Sequence, residues 1–260
     1  MIYLRMLLPL LAFLWQFKAI AGTKNDLAEP HKHQVTFVQI SDTHFFSSAK
    51  SRERGEQIVQ AINRLSIPID CVIITGDIVV NADIGWDIAK NIFNKLKAPW
   101  HVLAGNHDIT KLPVDAKKYL AAFNELATNV EYHGVVFLLF FDAPVPSLHY
   151  EPINWVTEQL KNTENKPIIV FHHKPEVTNF YKNKFYPPSW ATYKISKWSS
   201  LLNSYNVIAE ITGHFHRDEL HWRGSVPIFI APAAALGHQP SIRIYDYTDG
   251  KISYRTQMLE

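Results

Sequence analysis

The chain has 260 residues, 47% of them hydrophobic and 19% charged, with 10 Gly and 15 Pro. That is enough apolar material for one core of about 200 to 250 residues, and it excludes a disordered, collagenous or disulfide-stapled chain. Lys and Arg total 26 against 24 Asp and Glu, which excludes a dedicated nucleic-acid binder; an anionic substrate must be drawn by a local feature rather than a global field.

Residues 1–21 read as an export signal, with Arg5 in a short positive region, an apolar run over residues 6–15 and the small-x-small pattern Ala19-Ile20-Ala21 at the cleavage position. The apolar run is about half the ~20 residues that a membrane span needs, so no integral span is expected. The expected product is a periplasmic or secreted protein with a flexible arm over residues 22–34, which includes His31 and His33, and one domain over residues 35–260. The single cysteine, Cys71, lies in the apolar run Cys71-Val72-Ile73-Ile74 and reads as an inert core thiol.

Strands are predicted over residues 35–40, 71–75 and 100–103, alternating with helices over residues 56–65 and 86–96, a rhythm that implies parallel strands covered by helices. A hairpin turn at His133-Gly134 leads into an apolar strand over residues 135–141. Then come a helix over residues 153–160, a strand over 168–171, a helix over 195–205 and a strand over 207–212. Shorter strands follow over residues 228–231, 242–247 and 251–254, with a turn at Asp249-Gly250. The expected class is α/β, with two sheets packed face to face and helices outside.

Ligands in open α/β sheets sit beyond the carboxyl ends of the strands. Here those ends run into Asp42-Thr43-His44, Gly76-Asp77, Gly105-Asn106-His107-Asp108, His172-His173 and Gly213-His214-Phe215-His216. One such pair is ordinarily a turn former or a cap, but so many successive strand ends bearing Asp, Asn and His point to metal ligation. Carboxylate, carboxamide and imidazole donors without clustered thiolates suit Mn, Fe, Co, Ni or Zn and exclude iron–sulfur and structural zinc sites. The donor set exceeds what one ion with an open position uses, and two ions about 3.5 to 4 Å apart, bridged by a carboxylate, account for it.

At these residues the sequence resembles the calcineurin-like metallophosphoesterase superfamily, whose blocks D-x-H, G-D, G-N-H-D/E, H and G-H-x-H appear in that order. The resemblance implies a four-layer α/β/β/α fold of two mixed sheets flanked by helices. It also implies two divalent or Fe/Mn/Zn-type transition-metal ions, one held by Asp42, His44, Asp77 and His216, the other by Asp77, Asn106, His172 and His214. Adjacent residues at a strand end point to opposite faces, so one of His172 and His173 reaches the metals; by the family pattern that is His172. The implied reaction is phosphoester hydrolysis by a metal-bridging hydroxide, with His107 donating a proton to the leaving oxygen. For Asp108 two roles stand open, fixing the His107 tautomer or capping the loop.

Within the superfamily, Ile78-Val79-Val80-Asn81 after Asp77 departs from the protein serine/threonine phosphatases, and Val80 stands where purple acid phosphatases carry an iron-binding tyrosine. His107 replaces the arginine of the lipid A pathway hydrolases. The pattern is nearest the compact class III cyclic-nucleotide phosphodiesterase-like group, although Lys174 interrupts its His-His-Pro-Pro element. The expected substrate is a small phosphodiester; a phosphomonoester, or a metal-binding module without turnover, is the alternative. Phe180, Tyr181, Phe185, Tyr186 and Trp190 form an aromatic segment with two readings, a wall against the substrate or packing on a sheet edge.

Overall fold

A computed structural model describes residues 33–81, 85–175, 192–235 and 240–259. The expected signal segment, most of the expected N-terminal arm and the aromatic segment 180–190 lie outside the described residues. In chain order the elements are β1 (Gln34–Ile40), α1 (Ala49–Asn63), β2 (Cys71–Thr75), α2 (Trp86–Phe93), β3 (Trp100–Leu103) and α3 (Val114–Phe123). They continue as β4 (Ala127–Tyr132), β5 (Val135–Phe140), α4 (Pro152–Lys161), β6 (Ile168–Phe171), α5 (Thr192–Asn203) and β7 (Val207–Thr212). The chain closes on β8 (Glu219–Arg223), β9 (Val226–Ile230), β10 (Ser241–Thr248) and β11 (Lys251–Met258).

The strands form a five-stranded sheet of order β11-β10-β1-β2-β3 and a six-stranded sheet of order β4-β5-β6-β7-β9-β8. Parallel ladders join β1, β2 and β3 in the first sheet and β5, β6, β7 and β9 in the second. Antiparallel pairs flank them at β10–β11, β1–β10, β4–β5 and β8–β9. This is the expected pair of mixed sheets with flanking helices.

Strand alternation sorts the side chains into layers. Val35 and Phe37 of β1, Phe137 of β5, Phe171 of β6 and Tyr245 of β10 pack between the sheets. The opposite face of the first sheet, with Val38, Ile40, Val72 and Ile74, packs against α1, α2 and α3. The outer face of the second, with Leu138, Phe140, Ile168 and Val170, packs against Val156 of α4 and Trp198 of α5. Strands buried on both faces read as the unbroken apolar runs that made them visible in the sequence.

Helix α1 begins well before the predicted position. Ser48 caps it, its hydroxyl accepting from the Ser51 amide at 3.1 Å. The buried face of its first turns is Ser51 and Gly55, small residues that carry no apolar period. A Cβ on Gly55 would lie 2.4 Å from Ile92 Cδ1 and 2.8 Å from the Phe45 ring, so the missing side chain is what admits α2 this closely. Helix α3 and the strands β4 and β8 were not predicted. Strands β4 and β8 are half-exposed, and α3 is organised by Asp115, whose carboxylate accepts from the Thr110 hydroxyl at 2.8 Å and the Lys111 amide at 2.6 Å. Cys71 is fully buried, and burial pushes its thiol pKa up. Among the described residues no helix is long and apolar enough to cross a membrane.

The inter-sheet layer centres on Phe37, stacked on Tyr245 at 4.8 Å and edge-on to Phe137 at 5.0 Å and Phe171 at 5.7 Å. Phe37→Ala is expected to cost about 3–5 kcal/mol in urea denaturation. The partly exposed Leu220 of β8 serves as the comparison, and its replacement by Ala should stay within about 0.5 kcal/mol.

Candidate metal centre

The loops after β1, β2, β3, β6 and β7 meet at the carboxyl end of both sheets. Backbone hydrogen bonds lace them together: Asp42 N to Gly76 O at 3.1 Å, His44 N to Asp77 O at 2.9 Å, and Gly213 N to the His173 carbonyl at 2.9 Å. The approach is too close for side chains. A Cβ on Gly105 would lie 2.2 Å from the Asp77 amide nitrogen, and one on Gly213 would lie 1.9 Å from Ser41 Oγ. Asp42, His44, Asp77, His214 and His216 all hold positive φ, between 45° and 73°. Non-glycine residues adopt this left-handed conformation at a cost, and they concentrate where the chain must aim functional groups.

The side chains so aimed converge. Asp42 is fully buried and Asp77 nearly so. His44 Nε2 lies 3.9 Å from Asp42 Oδ1 and 3.8 Å from Asp77 Oδ2. His173 Nε2 lies 3.1 Å from Asp77 Oδ2 and 3.9 Å from Asp42 Oδ1, while His216 Nε2 is 3.1 Å from Asp42 Oδ1. The Ser41 hydroxyl donates to Asp42 Oδ2 at 2.6 Å, the His214 amide to the same oxygen at 3.1 Å, and the His107 amide to Asp77 Oδ1 at 2.8 Å. Donor atoms of Asp42, His44 and His216, of His44, Asp77 and His107, and of Asp77, His173 and His214 form groups within 4.8 Å. His44 Nε2 and Asn106 Oδ1 are buried without a hydrogen-bond partner. Buried polar atoms are normally bonded, so this oxygen- and nitrogen-rich cluster fits a hard or borderline divalent cation.

Residues 35–218 match the model of the calcineurin-like phosphoesterase family. The chain belongs to that family. It is similar to a probable glycerophosphodiester phosphodiesterase GpdQ of Arcobacter nitrofigilis, 27% identical over 79% of this chain and 80% of the relative. It is also similar to a probable cyclic nucleotide phosphodiesterase of Colwellia psychrerythraea, 26% identical over 88% of this chain and 97% of that one. Among solved structures, purple acid phosphatase PPD1 from yellow lupin superposes with a TM-score of 0.62 at 14% identity, over 85% of this chain and 51% of that one. At that identity the likeness speaks for the fold.

One assignment made from the phosphoesterase pattern is corrected by the geometry, and of the two roles open for Asp108 the loop-capping one has the contacts. His172 does not join the cluster. Its ring stacks on Phe140 at 5.4 Å in the layer between the second sheet and its helices, and its Nε2 meets Glu210 Oε1 at 3.0 Å. His173 takes its place, because it shares the inward parity of Ile169 and Phe171, whereas His172 follows Ile168 and Val170 outward. The His173 Nδ1 donates to the Thr75 carbonyl at 2.8 Å, which turns Nε2 toward Asp77. Nor does Asp108 touch the His107 ring. Its carboxylate accepts from the amides of Ile78 at 2.9 Å, Val79 at 3.0 Å and Gly105 at 2.8 Å, so it clasps the two loops that carry Asp77 and Asn106. The group that orients His107 is the Val80 carbonyl, 3.1 Å from Nδ1, a backbone atom with no sequence signal.

Burial opposes charge throughout the site, and the partners decide the outcome. Burial lowers the His173 pKa, but Asp77 and Asp42 outweigh it and carry the imidazole up to about 10. Burial likewise raises Asp77, yet His173 and His44 bring it well below the usual carboxylate range. His214 falls to about 4 through burial and the neighbouring charge of His173. A proton on His173 thus places positive charge beside two carboxylates, the role a divalent ion would take over if bound there.

The two histidines are separable by experiment. His173→Ala is expected to weaken binding of one metal ion by more than about 100-fold, beyond the range for outer-shell partners, as read by metal analysis of the purified protein. His172→Ala should retain the metal content while lowering the stability of the chelator-treated protein by about 3–5 kcal/mol, because it breaks a buried ion pair with Glu210.

Proposed function

We propose that this chain is a phosphodiesterase that works with two divalent metal ions on a small diester. The observation that carries the reading is the position of Asp77, whose carboxylate belongs to one donor group with His44 and His107 and to another with His173 and His214. One ion would be held by Asp42, His44, Asp77 and His216, the other by Asp77, Asn106, His173 and His214. Bound ions of this kind supply Lewis acidity, making water available as a nucleophile near neutral pH and offsetting charge on the phosphoryl oxygens.

The chain's own groups do the rest. Asp42 Oδ2 is held by Ser41 Oγ and the His214 amide, and Asp77 Oδ1 by the His107 amide, so each carboxylate would keep its other oxygen for an ion. His107 is exposed, edge-on to His44 at 4.8 Å. The Val80 carbonyl accepts from its Nδ1, so Nε2 is the nitrogen free to hand a proton to a departing alkoxide. The phosphodiesterase names of the relatives from Arcobacter nitrofigilis and Colwellia psychrerythraea favour a diester over a monoester.

Chelation should abolish hydrolysis, and Mn2+ or Zn2+ should restore it, with bis(p-nitrophenyl) phosphate turned over faster than p-nitrophenyl phosphate; the reverse preference would assign a phosphomonoesterase. Metal analysis should find about two ions per chain, and Asp77→Asn should reduce the occupancy of both. His107→Asn should slow an alkyl diester by about 10²- to 10⁴-fold and spare nitrophenyl diesters by at least tenfold in comparison, because nitrophenolate leaves without protonation. Equal losses on the two substrates would reduce His107 to a structural neighbour of Asn106.

A further inference from the structure

The layer between the sheets changes character beneath the metal centre. Inward positions on β1 run Val35, Phe37, Gln39, and on the neighbouring strand β10 they run Tyr247, Tyr245, Arg243. Arg243 is fully buried and stands opposite Gln39 in the β1–β10 ladder. Its guanidinium lies over the Tyr254 ring at 4.6 Å, pairs with Asp218 and donates to the Tyr245 hydroxyl at 3.4 Å. Burying an arginine, a glutamine and a tyrosine hydroxyl among phenylalanines costs stability unless every bond is made, and an apolar set of similar volume would serve folding at least as well.

The bonds they make lead to the site. The Tyr245 hydroxyl donates to Gln39 Oε1 at 2.9 Å. With its oxygen thus engaged, the Gln39 amide nitrogen donates to Thr75 Oγ1 at 2.8 Å and to the Thr212 carbonyl at 3.0 Å. Thr75 ends β2 and Thr212 ends β7. These strands belong to different sheets, so no ladder sets their separation. The Thr75 carbonyl in turn receives His173 Nδ1, Thr212 precedes Gly213-His214, and Asp218 closes the loop that carries His214 and His216.

We infer that Arg243, Tyr245 and Gln39 are positioning residues of the metal centre, a buried hydrogen-bond chain that ties the ligand-bearing ends of the two sheets together. A glutamine amide has two faces, and only the one fixed by the Tyr245 hydroxyl presents its NH2 group to both Thr75 and Thr212. Removing that hydroxyl leaves Gln39 Oε1 buried without its donor, and the bridge from β2 to β7 loses its preferred orientation. The ligands most affected are His173 and His214, on the sheet that carries neither Asp42 nor Asp77. The inference rests on the metal-centre reading above.

The test is a calorimetric titration of the chelator-stripped full chain with Mn2+. Tyr245→Phe keeps the ring that stacks on Phe37 and removes only the hydroxyl. It should weaken one of two Mn2+ equivalents about tenfold, toward the lower end of the effect of outer-shell partners, and lower kcat on a diester while KM stays near the parent value. Gln39→Leu should reproduce both changes. Tyr247→Phe is the control: it removes another buried hydroxyl of β10, one that accepts from the Gly250 amide at 2.9 Å far from Gln39, and it should leave the titration unchanged. If Tyr245→Phe or Gln39→Leu loses thermal stability but titrates like the parent, the chain is merely structural and the inference is overturned. An equal Mn2+ effect in Tyr247→Phe overturns it too. If the parent itself takes up no Mn2+, the metal-centre reading fails first and takes the inference with it.

Discussion

The constraint on which this structure turns is a carboxylate kept nearly out of water at the meeting point of two sheets. Asp77 is 2% exposed, and a charge so placed is tolerated only when donors and cations surround it. The His107 amide and His173 provide that surrounding from the loops after β3 and β6, with His44 of the loop after β1 beside them at 3.8 Å. Each must approach within a few ångströms of β2's end, which explains the glycines. Gly76 takes φ of +85°, and Gly105 lies where a Cβ would strike the Asp77 backbone.

Strain and packing divide the molecule. The left-handed backbone at Asp42, His44, Asp77, His214 and His216 costs about 1–2 kcal/mol per residue. It persists because strands immediately below are clamped in ladders and buried on both faces, with hydrophobic layers inside and outside each sheet. Asp108 shows the same economy in the loop itself. Burial and the charge of Asp77 carry its carboxyl up to about 7, with the amides of Gly105, Val79 and Ile78 pulling in the other direction. An acid held by three backbone amides is a brace between the loops that carry Asp77 and Asn106.

Polar groups behind the site thus serve two different layers. Between the sheets, Gln39, Tyr245 and Arg243 link strand ends that no ladder joins. On the outer face of the second sheet, Glu210 accepts from His172 and from Trp198 Nε1 at 3.3 Å and pairs with Arg223. These buried charges fix the end of β6 from the side opposite His173, so the two neighbouring histidines have unlike tasks. His172 anchors the strand to its helix layer, and His173 faces Asp77.

Much of this was legible in the sequence. Continuous apolar runs mark strands buried on both faces, and the donors that follow them sit at carboxyl ends because parallel strands all run the same way; that much needs only local patterns and chain direction. Hidden from it were features that depend on what lies across a gap. Helix α1 starts early because Gly55 faces Phe45 and Ile92 and the Ser51 hydroxyl accepts from the Phe46 amide, contacts without apolar period. The roles of Asp108 and of the Val80 carbonyl depend on loops 30 and 27 residues apart in the chain. Alternation alone says that His172 and His173 part company, but it does not say which face of β6 looks toward the other sheet. That is decided by the stacking of β6 beneath β1 and β2, which puts Phe171 and His173 inside and Val170 and His172 under the helices.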